Sequence, residues 1–191
     1  MLTDFADRQE GRESTVQDLE EMAARATRLE TTQRSSKHID IRGIAAQVLP
    51  VIESAYREAE KFYGLQVEWF EFPEMLRYAK GGHYVPHADA ENWDPGTGRW
   101  LRGLDRDLSV IIYLNDQFKG GQLDFPNFGF RVQPRAGLLA CFPADHRYVH
   151  TARPVESGVR YILVSWAAVR GSVRVHRQRP VTAVPMSVGM P

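Results

Sequence analysis

Apolar residues recur along this chain with two different periods. Between residues 41 and 63 they recur every three or four positions, as they do along one face of a helix. From Gln66 onward they alternate with polar residues in short runs that are rich in aromatic and β-branched side chains, which is typical of β-strands. The change of period predicts helices in the first third of the chain and a mainly β region after it.

The clearest predicted helix lies in "IRGIAAQVLPVIESAYREAEKFYG". Its apolar positions form one continuous face, which needs a broad partner surface to cover it. They are Ile41, Ile44, Ala45, Val48, Ile52, Ala55, Tyr56, Ala59, Phe62 and Tyr63. Gly64 is a typical stop signal for such a helix. Residues 14–29 carry a capping-box spacing and a thinner apolar stripe, which predict a second helix.

The strand-like runs are separated by turn residues such as those in "KGG", "NFG" and "PRAG". Many short strands of this kind predict an antiparallel sandwich or barrel, with the preceding helices packed on one sheet. We expect three parts: a polar helical extension over residues 1–38, a β domain with its bracing helix over 39–169, and a basic, proline-containing tail over 170–191. The tail is expected to add one more strand.

Composition narrows the classes of partner and compartment. With 24 Lys+Arg against 24 Asp+Glu, the chain has no net charge to attract it to nucleic acid or to an anionic membrane. Cys141, the single cysteine, cannot form an internal disulfide. The first residues do not resemble a signal peptide, and no apolar run approaches the roughly 18 residues of a membrane helix. We therefore expect a cytoplasmic protein that binds neither nucleic acid nor a membrane.

Two His-x-Asp pairs are candidates for metal binding. Residues i and i+2 of a strand point to one face, so His87 and Asp89 in "HYVPHAD" would project together. Two histidines and one carboxylate on one face of Fe(II), with the other positions open, are typical of non-haem oxygenases. His38 and Asp40 repeat the spacing in "SSKHIDIRG", just before the predicted helix. There, a surface or capping role is favoured.

A third ligand has to come from another strand. His150 follows Asp89 after enough chain for several strands to return beside the first. His83 would lie about 13 Å from His87 by strand rise. His146 could join His150 in a zinc site only on a helix, and the surrounding residues favour strands. We expect His83 and His146 to be bystanders and His150 to fit the third position.

Arg160 begins the predicted strand "RYILVSW" and has the same parity as Ile162 and Val164. If those two residues face the core, Arg160 faces it as well, and a buried guanidinium needs an anion beside it. The anion is either an internal Asp or Glu, or the carboxylate of a ligand, which arginine can bind through two parallel hydrogen bonds. The residues alone leave both readings open.

Three stretches, "LRYAKGGHYVPHAD", "RDLSVIIYLNDQFKGGQLDFP" and "PRAGLLACFPADHRYVHTARPVESGVRYILVSW", follow one another between residues 76 and 166. In order and spacing they resemble the catalytic core of the prolyl 4-hydroxylase-like family of 2-oxoglutarate- and Fe(II)-dependent dioxygenases. The resemblance implies that the domain at 39–169 is a double-stranded β-helix, or jelly roll. Residues 1–65 and 170–191 carry no motif of the family. Residues 90–106 are the segment expected to meet the prime substrate, and no pattern in them identifies it.

The resemblance also implies the chemistry of the site. His87, Asp89 and His150 would hold Fe(II), and Arg160 would pair with the distal carboxylate of 2-oxoglutarate. With O2 as the second cosubstrate, such an enzyme hydroxylates an unactivated C–H bond and releases succinate and CO2. Ascorbate is a candidate reductant.

Aromatic residues complete the expected site. By the resemblance, Tyr78 and Tyr113 would line the cosubstrate pocket, and Trp166 would close the site on the substrate side. Residues 91–106 contain Gly and Pro and predict a loop over the mouth of the site. Trp93 in this loop is a candidate substrate contact, and packing of the loop onto the barrel is the alternative.

The prime substrate is left open by these residues. A compact chain without an added peptide-binding domain favours a small molecule such as a free amino acid. The first alternative is a peptidyl (prolyl) hydroxylase that acts on a protein partner. The second is a metal-binding jelly-roll sensor without catalytic activity, which would not need Arg160 to face the core.

Overall fold

The computed structural model describes residues 2–9, 11–13 and 33–187. The elements within these ranges are α1 (Leu2–Asp7), β1 (Arg12–Glu13), β2 (Lys37–Ile39), α2 (Ala45–Tyr63), β3 (Val67–Glu71), β4 (Glu74–Tyr78), β5 (Tyr84–His87), β6 (Glu91–Asp94), β7 (Arg99–Arg102), β8 (Leu108–Tyr113), β9 (Lys119–Gly120), β10 (Leu123–Phe125), β11 (Phe130–Val132), β12 (Leu139–Pro143), β13 (His150–Ala152), β14 (Val155–Ser157), β15 (Arg160–Val169) and β16 (Ala183–Pro185). Short 3-10 helices lie at Arg42–Ile44, Pro126–Phe128 and His146–Tyr148. The helix predicted for residues 14–29 lies outside the described residues.

A large antiparallel sheet is built around β15. This strand pairs with β8 along one edge and with β4 and then β3 along the other. The sheet continues through β12 beyond β8, through β2 and β1 beyond β4, and through β16 beyond β3. A smaller antiparallel sheet has the order β11-β10-β13-β5. Two further pairs, β6 with β7 and β9 with β14, lie outside these sheets.

Helix α2 covers one face of the large sheet. Its buried residues pack in one cluster with Phe70, Met75 and Leu163 of β3, β4 and β15, as the apolar stripe predicts. The helix ends at Gly64, whose φ of 66° is the left-handed conformation that glycine adopts readily. The predicted face is too long by one turn, because Phe62 is 82% exposed.

The opposite face of the large sheet meets the smaller sheet. The side chains between the two sheets form a second apolar cluster, which contains Leu76, Tyr78, Ile111, Tyr113, Leu123, Phe125, Phe142, Val155, Ile162, Val164 and Trp166. Residues of β4 and β15 alternate between the two clusters, since neighbouring residues of a strand point to opposite faces. The candidate site described below lies between the two sheets.

Both ends of the described chain join the large sheet. β2 pairs with β4, and β16 pairs with β3, so the strand expected in the tail is present. The expected division at residue 38 falls inside β2, and the three-part domain division stays a prediction.

None of the helices in the described ranges is long and apolar enough to cross a membrane. The cytoplasmic location stays a prediction.

Candidate functional site

One end of the β5–β13 pair in the smaller sheet brings together His87, Asp89 and His150. His87 is the last residue of β5 and stands opposite His150, the first residue of β13. Asp89 lies on a bend after β5, so the expectation that it belongs to the strand was wrong. The potential ligand atoms of the three residues all lie within 4.8 Å of one another. Among the described residues, this is the one group of three or more such side chains close enough to hold a metal ion.

Backbone carbonyl groups orient both imidazole rings. Nδ1 of His87 donates to Val85 O at 2.8 Å, and Nδ1 of His150 donates to Tyr148 O at 3.0 Å. These bonds place the hydrogen on Nδ1 and leave the lone pair of each Nε2 free, which is the form that binds a metal. The two Nε2 atoms lie 3.5 Å and 3.8 Å from the Asp89 carboxylate oxygens.

The protonation states of His150 and Asp89 also suit a cation. Burial, followed by the charge of His87, lowers the pKa of His150 to about 4, so its imidazole is neutral at pH 7. Burial raises the pKa of Asp89, but His150, His87 and the hydrogen bond from Ser109 outweigh it and hold the pKa well below its usual range. Ser109 Oγ donates to Asp89 Oδ2 at 2.6 Å and is fully buried. Neutral imidazoles and an ionised carboxylate are the states that metal binding requires.

The other candidate histidines are held elsewhere. His38 lies on β2 opposite Leu76, and Asp40 accepts a hydrogen bond from the backbone N–H of Arg42, as a capping residue does. Nδ1 of His83 is hydrogen-bonded to a backbone carbonyl group, and Nδ1 of His146 is hydrogen-bonded to Glu91 Oε2 at 2.5 Å. The structure therefore separates the second His-x-Asp pair from the first.

A cavity of about 490 Å³ contains the three residues and Arg160. The Arg160 side chain is buried, with Cζ 4.1 Å from the Tyr78 ring centroid and 6.0 Å from that of Tyr113. Nη1 donates to Gly121 O at 2.8 Å, while Nε is buried without a hydrogen-bond partner. A Cβ atom at Gly121 would lie 3.2 Å from Arg160 Cδ, which is tighter than ordinary contact.

No carboxylate within the described ranges forms an ion pair with Arg160. An internal salt bridge was one of two alternatives for Arg160, and it is absent from the described residues. A buried cation without an anion is costly, so the site suits a carboxylate from a ligand. One cavity thus contains potential ligands for a metal ion, in the histidines and Asp89, and a partner for a carboxylate, in Arg160.

The part of the cavity near Trp166 contains an ion pair that no local sequence pattern predicts. Arg106 Nε and Nη2 donate to the two Glu71 carboxylate oxygens at 2.5 Å and 2.9 Å. Cζ of Arg106 lies 3.7 Å from the Trp166 ring centroid, and Nη1 donates to Asp89 O at 3.3 Å. Arg106 follows a turn with no distinctive pattern, so only the folded chain places it beside Asp89 and Trp166.

The segment expected to form a loop over the mouth is instead a hairpin of β6 and β7. Trp93 and Trp100 stand opposite each other in it, with ring centroids 5.9 Å apart. The cross-strand aromatic pair explains the strand structure. Both tryptophans line the cavity, and Trp93 is 53% exposed.

Comparison with known proteins identifies the family. A model of the 2OG-Fe(II) oxygenase superfamily matches residues 73–168, half of the chain. The α-1 subunit of rat (Rattus norvegicus) prolyl 4-hydroxylase is 30% identical over 130 residues, which cover 64% of this chain and 24% of that protein. The chain thus spans about a quarter of the length of the curated relatives that it matches.

Solved structures support the fold. A prolyl-4-hydroxylase from Pseudomonas putida is 26% identical with a TM-score of 0.57, covering 74% of this chain and 75% of that one. A Trichoplax adhaerens prolyl hydroxylase, solved with a hypoxia inducible factor peptide fragment, has a TM-score of 0.62 at 21% identity, covering 87% and 74% of the two chains. These matches confirm the predicted mainly β jelly roll. The chain belongs to the 2OG-Fe(II) oxygenase superfamily, whose cofactor is Fe(II) and whose cosubstrates are 2-oxoglutarate and O2.

Proposed function

We propose that this protein hydroxylates an unactivated C–H bond of a small molecule such as a free amino acid. One O2 and one 2-oxoglutarate are consumed. One oxygen atom of O2 enters the C–H bond as hydroxyl, and the other enters succinate, which is released together with CO2. The observation that carries the proposal is a single cavity that holds His87, Asp89 and His150 together with the buried Arg160.

His87, Asp89 and His150 are the proposed ligands of Fe(II). Three protein ligands leave open positions for 2-oxoglutarate and O2, and the bound metal supplies the redox chemistry that activates O2. The potential ligand atoms lie within 4.8 Å of one another, and the carbonyl groups of Val85 and Tyr148 orient the two rings. The protein therefore needs little rearrangement to bind the ion.

Arg160 is the proposed partner of the distal carboxylate of 2-oxoglutarate. Its guanidinium has donors to spare, since Nη1 alone has a partner in the described residues. Tyr78 lines the same end of the cavity with its ring 4.1 Å from the guanidinium, whereas the Tyr113 ring lies 6.0 Å from it and is not part of the cavity wall. Burial strengthens the pairing of guanidinium with carboxylate, because little water competes for the donors.

Apolar side chains keep the reacting end dry. Leu76, Ile111, Leu123 and Ile162 line the cavity between the two sheets and are all buried. Trp166 covers the substrate side and is held by Arg106. Exclusion of water limits side reactions of an activated oxidant and strengthens electrostatic contacts. Ascorbate stays a candidate reductant.

A peptidyl prolyl hydroxylase is the second candidate. Support for it comes from the similar proteins, which are prolyl hydroxylases. One of the similar structures was solved with a peptide. Aromatic residues also lie beside the cavity, since the half-buried Trp100 borders a second concavity whose walls include the exposed Phe128 and the half-buried Tyr148. Such a surface could contact a peptide chain. The sensor alternative is disfavoured because a sensor has no need of the buried, unpaired Arg160.

Succinate formation tests the proposed function. The anaerobic protein would be loaded with Fe(II) and 2-oxoglutarate and then exposed to O2 with candidate amino acids and peptides. We expect O2-dependent succinate and a hydroxylated product in the presence of the substrate. Asp89→Ala should abolish succinate formation, whereas His38→Ala, which removes a histidine outside the cavity, should retain it. Equal loss in both variants, with folding intact, would contradict the assignment of the site.

A further inference from the structure

The cavity has a cosubstrate end and a substrate end, set by strand register. In the pairing of β15 with β4, Arg160 stands opposite Tyr78, Ile162 opposite Leu76, and Val164 opposite Glu74. Glu74 is four residues from Tyr78, which corresponds to about 13 Å along the strand. A 2-oxoglutarate held at Arg160 would therefore leave the Glu74 end of the cavity to the prime substrate.

Glu74 points into the cavity with its neighbours of the same parity. Leu76 and Tyr78 line the cavity as Glu74 does, whereas Met75 packs in the cluster beneath α2 and Arg77 Nε donates to the Tyr161 hydroxyl group on the other face. Glu74 is half-buried. Its side chain thus forms part of the cavity wall.

The other charged residues at this end are already engaged. Glu71 accepts both of its hydrogen bonds from Arg106, so the two charges neutralise each other. Arg34 donates from Nε to Ser36 Oγ at 3.0 Å, and its Cζ lies 4.9 Å from the Tyr84 ring centroid.

Glu74 differs from these residues. No side chain of the described residues donates a hydrogen bond to its carboxylate or forms a close ion pair with it, although the charges of Arg34 and Arg106 act on it at longer range. An ionised carboxylate in a partly dry cavity is stabilised by a cation that donates to it. The charges of Arg34, Glu71, Glu74 and Arg106 sum to zero, and Glu91, which also lines the cavity, is hydrogen-bonded to His146. A zwitterion such as a free amino acid adds no net charge to this end.

We propose that Glu74 is a specificity-determining residue that binds an ammonium group of the prime substrate. This inference rests on the proposed function and narrows its substrate class. The ammonium group belongs either to a free amino acid or to a lysyl side chain of a peptide, and the two sources present the same chemistry to the carboxylate.

Matched probes with and without the ammonium group test the inference. Succinate formation by the Fe(II)-loaded protein would be measured with free L-amino acids and with their N-acetyl forms. A capped lysyl tripeptide and its Nε-acetylated form make up the second arm. We expect stimulation only by ammonium-bearing probes. Stimulation by free amino acids identifies a small-molecule substrate, and stimulation by the lysyl tripeptide alone identifies a peptide.

Variants separate recognition from a structural role. Glu74→Gln should lower kcat/KM for the stimulating probe about 10- to 150-fold, the range expected for loss of a charge-assisted hydrogen bond. Its melting temperature and 2-oxoglutarate affinity should match those of the unmodified protein. Glu58→Gln removes the same charge from the exposed surface of α2, where Glu58 pairs with Lys61, and should leave kcat/KM unchanged.

Three results would overturn the inference: equal stimulation by acetylated probes, an unchanged kcat/KM in Glu74→Gln, or no response to any ammonium-bearing probe. If O2-dependent succinate is still formed in these cases, the proposed function stands and only the role of Glu74 fails. If the protein neither binds 2-oxoglutarate nor forms succinate, the proposed function itself fails, and the inference with it.

Discussion

Arg160 and Tyr78 stand directly opposite each other in the antiparallel pairing of β15 with β4, and the guanidinium lies 4.1 Å from the ring centroid. The aromatic face offers a cation partial compensation for lost water. It does not replace an anion, and none is present among the described residues around Arg160. Arg160 and Tyr78 therefore form a binding site for an anion such as the carboxylate of a ligand.

Replacing Arg160 should destabilise the ligand-free protein only slightly. Because no described carboxylate depends on Arg160, we expect Arg160→Met to cost no more than its hydrogen bond to Gly121 O, about 1 kcal/mol. Breaking a buried ion pair would instead cost about 3 to 5 kcal/mol, or about 6 to 20 °C in a chain of this size. Thermal unfolding distinguishes the outcomes, and a fall of that size would show that Arg160 has an internal partner.

Ser109 should influence metal binding through Asp89. The Ser109 hydroxyl group orients the carboxylate at 2.6 Å, and loss of such a supporting bond typically costs about 10- to 100-fold in metal affinity. We expect a loss in this range for Mn(II) binding by Ser109→Ala, measured by calorimetry.

Ser165→Ala is the matched control for Ser109→Ala. Ser165 is also fully buried in the large sheet, but its hydroxyl group donates to the backbone carbonyl group of Glu71 at 2.7 Å. Both variants should lose similar stability, about 1 kcal/mol, because each loses one buried hydrogen bond. Equal Mn(II) affinity in the two variants would mean that Ser109 has no role in orienting Asp89.

Trp93 should act in substrate recognition rather than in packing. Its side chain is 53% exposed at the rim of the cavity, so Trp93→Ala removes little buried surface. We expect a raised KM for the stimulating substrate, with unchanged 2-oxoglutarate affinity and melting temperature. Phe62→Ala on α2, which removes an aromatic residue that is 82% exposed, serves as the control. A lower melting temperature with an unchanged KM would favour packing of the hairpin.

Cys141 should be an unreactive thiol in the folded protein. Burial raises its pKa to about 12, so the thiol is protonated at pH 8 and the thiolate appears only as the pH approaches that value. Since the thiolate is the nucleophile, alkylation at pH 8 should be about 1,000-fold slower than for a cysteine with a pKa of about 8.5. Iodoacetamide labelling in native and unfolded protein measures the difference, and equal rates would show that Cys141 is accessible.

The regular features of the fold could be predicted because they follow from period and parity. The apolar stripe of α2 and the alternation of Arg160, Ile162 and Val164 place these residues on the correct faces without any tertiary information. The same parity argument went wrong at Asp89, because β5 ends at His87 and the chain bends before the carboxylate. The carboxylate still reaches the histidines, by way of the bend.

Features that depend on contacts distant in sequence could not be predicted. The ion pair of Arg106 with Glu71 joins residues that no local pattern connects, and it forms only because the chain after the hairpin returns beside β3. The Gly and Pro content of residues 91–106 predicts a loop, whereas the pairing of Trp93 with Trp100 makes the segment a hairpin. Turn composition alone does not reveal such cross-strand pairs.

Calorimetric titration of 2-oxoglutarate into the anaerobic, Mn(II)-loaded protein tests most directly whether the histidines, Asp89 and Arg160 form one site. We predict that Arg160→Met weakens 2-oxoglutarate binding about 10- to 150-fold while Mn(II) affinity is retained. The 2-oxoglutarate affinity of Arg160→Lys should lie between those of the unmodified protein and Arg160→Met, because ammonium supplies the charge without the planar guanidinium. Unchanged 2-oxoglutarate affinity in folded Arg160→Met would contradict the assignment of the site.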